Sequence, residues 1–154
     1  MTDGAAMAGT REIVVDEVFP HAPEAIWRTL TDGALIHRWL HLPVTSFAPV
    51  VGTLFTCRTT PAGAWDGVIR CEVLDVVPNE RLAYSWRSGD EGNVGYGAPL
   101  ETVVTFTLSR VAGGTRLRLV HSGFAAPRNE TALKSMGAGW ARAVADIGTI
   151  SGES

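Results

Sequence analysis

Apolar and polar residues alternate along this chain with two different periods, and the order in which the periods succeed one another outlines a fold. Arg11 to Phe19, REIVVDEVF, is rich in β-branched residues and predicts a strand. The period changes in PHAPEAIWRTLTD: Pro23 suits the first turn of a helix, Glu24 suits its positive end, and Ile26, Trp27 and Leu30 share a face. Thr31 or Asp32 can cap a second short helix with Leu35, Ile36 and Trp39 as its apolar stripe. LHLPVTSFAPVVG, with two prolines, reads as a loop.

A meander follows. Gly52 to Thr59 predicts a strand and TPAGA its turn. Trp65 to Val77 predicts a longer strand with Ile69, Cys71 and Val73 on one side and Arg70 and Glu72 on the other. PNE turns the chain into Arg81 to Arg87, where Leu82, Tyr84 and Trp86 share a face. SGDEGNVGYGAP carries four glycines and has the composition of a mobile loop. Glu101 to Arg110 turns Val104, Phe106 and Leu108 inward, and VAGG leads into TRLRLVHSGF. In that last strand the alternation places His121 on the same side as Leu117 and Leu119.

A terminal helix begins near Glu130, with Leu133, Met136, Trp140, Val144 and Ile147 as its stripe. Gly137 and Gly139 interrupt it, each about 1 kcal/mol less favourable than alanine, which calls for a packing reason or a kink. The sum is an α+β domain: six antiparallel strands, two short helices between the first and second, and a long C-terminal helix. A strongly curved sheet around that helix leaves a cleft lined by inward aromatics. With 154 residues the chain makes one domain over residues 11–150, a flexible arm over 1–10 and a frayed end over 151–154.

Composition narrows the function. Hydrophobic residues form 45% and charged residues 19% of the chain, as in a globular domain. A net charge of -3 argues against a nucleic-acid partner. No apolar run is long enough to span a membrane, and the first residues lack a signal-peptide pattern, so a cytoplasmic location is expected. Cys57 and Cys71 then read as reduced, buried thiols, and the acceptor tripeptide at Asn129 has no consequence.

Catalytic chemistry is sparse. There is no nucleophile elbow, no P-loop and no dinucleotide fingerprint, so no cofactor is expected. His37 and His41 have helical i, i+4 spacing but no third ligand, and read as a surface pair rather than a metal site. Asp66, Asp90, Glu91 and Glu101 are unpaired in sequence, so no catalytic residue is assigned. What remains is a set of inward side chains: Trp39, Trp65, Tyr84, Trp86, Phe106, His121, Met136 and Trp140. They are either core or the lining of a ligand cavity. For His121 the alternatives are a satisfied core imidazole and a polar group facing that cavity.

In succession, VFPHAPEAIWRTLTDGALIHRWL, the G-x-x-F at Gly52 to Phe55, GVIRCEVLDVVPNERLAYSWR, VTFTLSRVAGGTRLRLVHSGF and the late Gly139–Trp140 pair form a pattern. It resembles the activator of heat-shock-protein-90 ATPase homologue-like family within the SRPBCC (START/Bet v 1-like) superfamily. The resemblance covers roughly Arg11 to Ile147. It implies a helix-grip fold with a deep apolar cavity between sheet and helix. The expected function is binding of a hydrophobic or aromatic small molecule, lipid-like or polyketide-like, with the eight residues above as its lining. A cyclase, dehydratase or hydrolase using His121 in the same cavity, and a chaperone-interacting module, are the alternatives. Homodimerisation is compatible with the pattern but marked by no residue in it.

Overall fold

The computed structural model describes residues 10–125 and 127–153. A strand β1 (Thr10–Phe19) is followed by helices α1 (Pro23–Thr31) and α2 (Gly33–Leu40). Strands β2 (Val44–Thr45), β3 (Leu54–Arg58), β4 (Val68–Val77), β5 (Arg81–Ser88), β6 (Leu100–Val111) and β7 (Gly114–Ala125) come next, and helix α3 (Glu130–Ser151) closes the chain. Every strand pair is antiparallel, in the order β1-β7-β6-β5-β4-β3-β2. The fold is the α+β helix-grip architecture, with α3 laid across the inner face of the sheet.

The sheet has seven strands where periodicity predicts six. The extra one is the two-residue β2, whose Val44 and Thr45 pair with Cys57 and Thr56. Two residues are too few to show a period, so the pairing has no signature in the sequence. The arm expected over residues 1–10 lies outside the described residues except for Thr10, which pairs with Ala125. At the other end α3 runs through Ser151 instead of fraying there. Ser151 is buried and its hydroxyl meets that of Thr29 at 2.9 Å, while Glu153 takes both guanidinium nitrogens of Arg38 at 2.8 Å.

Local chemistry explains the element ends. Pro23 sits in the first turn of α1, where its missing N–H costs nothing. Asp32 separates α1 from α2 and accepts the Ala34 N–H at 3.0 Å, capping α2. His41 ends α2 in the left-handed conformation at φ 61°, which turns the chain toward β2. A bulge between Val73 and Asp75 in β4 leaves Leu74 on the solvent side, 44% exposed.

The core lies between the sheet and the C-terminal half of α3. Trp39 is fully buried, its indole N–H donates to the Thr29 carbonyl at 2.8 Å, and its ring meets Phe106 edge-on at 5.8 Å. Trp140, Val144 and Ile147 of α3 are buried. The ten residues of α3 before Trp140 include no buried side chain. The helix is therefore gripped by its C-terminal half, and its N-terminal half spans an opening.

Neither glycine expected to serve packing or a kink does so: α3 is continuous, and a Cβ at Gly137 or Gly139 would meet nothing within 4 Å. At Gly114, by contrast, a Cβ would collide with the Phe19 carbonyl oxygen in the adjoining strand. Gly137→Ala should therefore raise stability by about 0.5–1 kcal/mol, and Gly114→Ala should lower it by about 1–3 kcal/mol. Urea denaturation of the two variants checks both signs.

Candidate functional site

Beneath the N-terminal half of α3 lies a cavity of about 320 Å³. Its floor is the inner face of the meander, where the register of β4 and β5 brings Ile69 and Trp86 inward. Leu40 and Leu42, on either side of the α2 cap, close one side. Ala132, Ser135, Met136 and Gly139 of α3 form the roof at helical spacing, three of them small, and Trp140 marks where the roof meets the packed core.

Two loops form the rim. Asn93 donates to the Ala62 carbonyl at 2.6 Å and accepts the Ala64 N–H at 3.3 Å, fastening the glycine-rich loop to the turn before Trp65. The Tyr96 hydroxyl donates to the Thr60 carbonyl at 2.7 Å, and the Tyr96 and Trp65 rings lie 5.9 Å apart. Asn129 is 2% exposed and joins three segments: its amide donates to the Pro99 carbonyl at 2.8 Å and accepts the Ala125 N–H at 2.9 Å. The loop that looked mobile by composition is thus tied both to the neighbouring turn and to the start of α3.

Of the eight residues expected to line a cavity, Trp65, Trp86, Met136 and Trp140 border this one. Trp39, Tyr84 and Phe106 do not; they pack together in the core. Burial raises the Tyr84 phenol above its usual range. Cys57 and Cys71 are buried free thiols, and the Cys71 thiol is pushed up by its hydrogen bond with Cys57 and then by burial. His37 and His41 take separate partners, the Leu42 carbonyl at 2.8 Å and the Asp146 carboxylate at 2.6 Å.

His121 also stands away from the cavity. It is fully buried behind Trp86 and Trp140, with ring centroids 5.4 and 5.9 Å away. The Trp140 indole N–H donates to Nδ1 at 2.9 Å; because an indole nitrogen only donates, Nδ1 must be the acceptor. The proton then belongs on Nε2, which donates to the Thr102 hydroxyl at 2.7 Å, and that hydroxyl donates to the Trp86 carbonyl at 3.0 Å. Donor and acceptor are fixed at both ends, so the chain has one direction and holds a neutral imidazole. Burial pushes the His121 pKa down to about 3. The histidine is a satisfied core residue that sets the orientation of a cavity wall.

A second groove, of about 380 Å³, lies over Arg70, Glu72, Ser85 and Arg87. Its arginines are exposed and paired, Arg70 with Asp66 at 3.2 Å and Arg87 with Glu101 at 4.0 Å. The cavity under α3 is the more apolar of the two and is the candidate site. Leu40, Leu42, Tyr96, Leu100, Ser135 and Gly139 also line it and were not singled out by sequence reasoning. Only Gly139 left a signal, as a helical glycine with no local reason.

Comparison with known proteins agrees with this geometry. The family model for the Activator of Hsp90 ATPase homolog 1-like protein matches residues 20–151. The chain belongs to that family. The "Activator of 90 kDa heat shock protein ATPase homolog 1" of Mus musculus is 27% identical over 135 residues, covering 86% of this chain and 34% of the mouse protein. The chain thus spans about a third of the length of that relative. The crystal structure of protein MLL2253 from Mesorhizobium loti is 36% identical, covers 91% of this chain and 96% of its own, and superposes with a TM-score of 0.78. A solution structure of the Aha1 dimer from Colwellia psychrerythraea shares the fold at 18% identity and a TM-score of 0.67, over 89% of this chain and 92% of its own. Among the described residues of this family member, no helix is long and apolar enough to cross a membrane.

The His121 chain has a pH consequence. With a folded pKa of about 3 against 6.5 in the unfolded chain, the unfolded state alone binds this proton between those values. The stabilisation is complete above pH 6.5 and declines as pH falls toward 3, by at most about 1.4 kcal/mol per pH unit. Urea denaturation across that range should show this slope, and His121→Gln should flatten it while lowering stability at neutral pH.

Proposed function

We propose that this protein binds a hydrophobic or aromatic small molecule in the cavity under α3. The observation that carries the reading is the half-gripped helix. Ten residues of α3 precede its first buried side chain, and the apolar positions among them, Leu133 and Met136, are only half-buried. A helix normally gains its stability by burying an apolar face, so a ligand in the cavity would supply the surface that this half lacks. The cavity volume lies at the lower end of the range for small-molecule sites, and its walls are indole and aliphatic groups.

An enzyme built around His121 has no support in this geometry. Both ring nitrogens are engaged, the imidazole stays neutral, and two indoles stand between it and the cavity. A chaperone-contacting role is the second reading. It is favoured by the name of the mouse relative and by Val50, Val51, Leu54 and Leu74, which are 44–70% exposed around the β3–β4 edge.

Gly139 supplies the test of the ligand reading. Gly139 borders the cavity, and a Cβ there would meet nothing within 4 Å, so a larger side chain at this position can be added beside the ligand space without a clash at Cβ. A ligand at a hundredfold excess over its Kd should stabilise the wild-type protein by about 2.7 kcal/mol, raising Tm by roughly 5–10 °C. Gly139→Leu should melt cooperatively and lose that rise, whereas Gly137→Ala should keep it. A library of apolar metabolites that shifts neither wild type nor variants by calorimetry would refute the reading.

A further inference from the structure

The walls of the cavity restrict its ligand more tightly than apolarity does. Among the described residues that line it, none carries a charge at neutral pH. The only titratable group among these described residues is the Tyr96 phenol, whose hydroxyl is already committed to the Thr60 carbonyl. A carboxylate, phosphate or ammonium entering here would give up its hydration and meet no counter-charge. An anionic lipid head group buried among these walls is disfavoured on the same ground.

The three indoles carry the second restriction. Trp65 donates to the Val68 carbonyl at 3.0 Å, and Trp140 donates to His121 at 2.9 Å. Trp86 borders the same cavity and is 3% exposed, yet its indole N–H has no acceptor among the described residues. A buried donor without a partner is rare in folded proteins and costly to leave so. Trp86 and Trp140 are set 5.9 Å apart at 60°, offering π surfaces that suit a flat ring system. At a packing density of roughly 0.75, a cavity of 320 Å³ holds at most roughly 240 Å³ of ligand atoms, which leaves room for two or three fused rings with a substituent.

We propose that the cavity selects an uncharged, flat aromatic molecule of two or three fused rings carrying a carbonyl oxygen that accepts from the Trp86 indole N–H. This rests on the cavity being the binding site. It separates the ligand from fatty acids and from aromatic acids of the same size. Trp86 is then the specificity-determining residue, and the wall set by His121 and Trp140 fixes the plane of the rings.

Isothermal titration with 2-acetylnaphthalene, naphthalene, 2-naphthoate and palmitate tests it on the wild-type protein. The ketone should bind about five- to tenfold more tightly than naphthalene. 2-Naphthoate should bind at least about a hundredfold more weakly than the ketone, and palmitate likewise. Trp86→Phe should erase the ratio of ketone to naphthalene affinity, whatever it does to both affinities together, because loss of wall surface alone weakens the two ligands alike. If 2-naphthoate or palmitate matches the ketone, or if the ketone is no better than naphthalene, the proposal is overturned and ligand binding in the cavity still stands. If none of the four binds and Gly139→Leu changes nothing, the cavity reading falls with it. The wild-type comparison decides the charge rule even if Trp86→Phe fails to fold.

Discussion

A single directed hydrogen-bond chain, from the Trp140 indole through His121 and Thr102 to the Trp86 carbonyl, joins the long helix to three central strands of the sheet. Its ends are a group that can only donate and a group that can only accept, so no alternative proton arrangement satisfies it. In a dry interior such a chain is costly to break, since each interruption strands a buried polar atom. It fixes where α3 crosses the sheet, and so decides that the helix is packed from Trp140 onward and spans a space before it.

Around that crossing the protein divides into two regimes. On the C-terminal side of α3, Trp39, Phe106, Val144 and Ile147 form a filled core, and contacts of Arg38 with Glu153 and of His41 with Asp146 hold the end of the helix from outside. On the N-terminal side the roof residues are small except for Met136, and the rim loops are tied by Asn93, Tyr96 and Asn129 to each other and to the helix start. Only a framework braced at its rim can keep an apolar space open, because close packing otherwise fills voids. The same brace places three indoles around one volume, which gives the cavity its aromatic character.

Much of the fold was legible along the chain. Period-two alternation in β4 to β7 placed Ile69, Val73, Leu82, Val104, Leu117 and their neighbours on the buried face, and the structure agrees. The family resemblance carried the topology, which periodicity alone would have left open among antiparallel arrangements. The candidate site was half legible. Trp65, Trp86, Met136 and Trp140 share the inward pattern with Trp39, Tyr84 and Phe106, and nothing local separates wall from core. Leu40, Tyr96 and Ser135 lie at a helix end, in a loop and on an interrupted stripe, where periodicity carries no information.

By itself, then, the sequence determined which side chains face inward, because burial of an apolar face follows from strand and helix periods that are local properties. It also determined that His121 belongs to that face. Only the tertiary structure decided what each inward side chain meets. Whether His121 faced a space or a partner depended on Trp140 and Thr102, residues from a helix and another strand. Whether an indole became wall or core depended on how far α3 stands from the sheet along its length. Those are distances between segments remote in sequence, and packing geometry sets them.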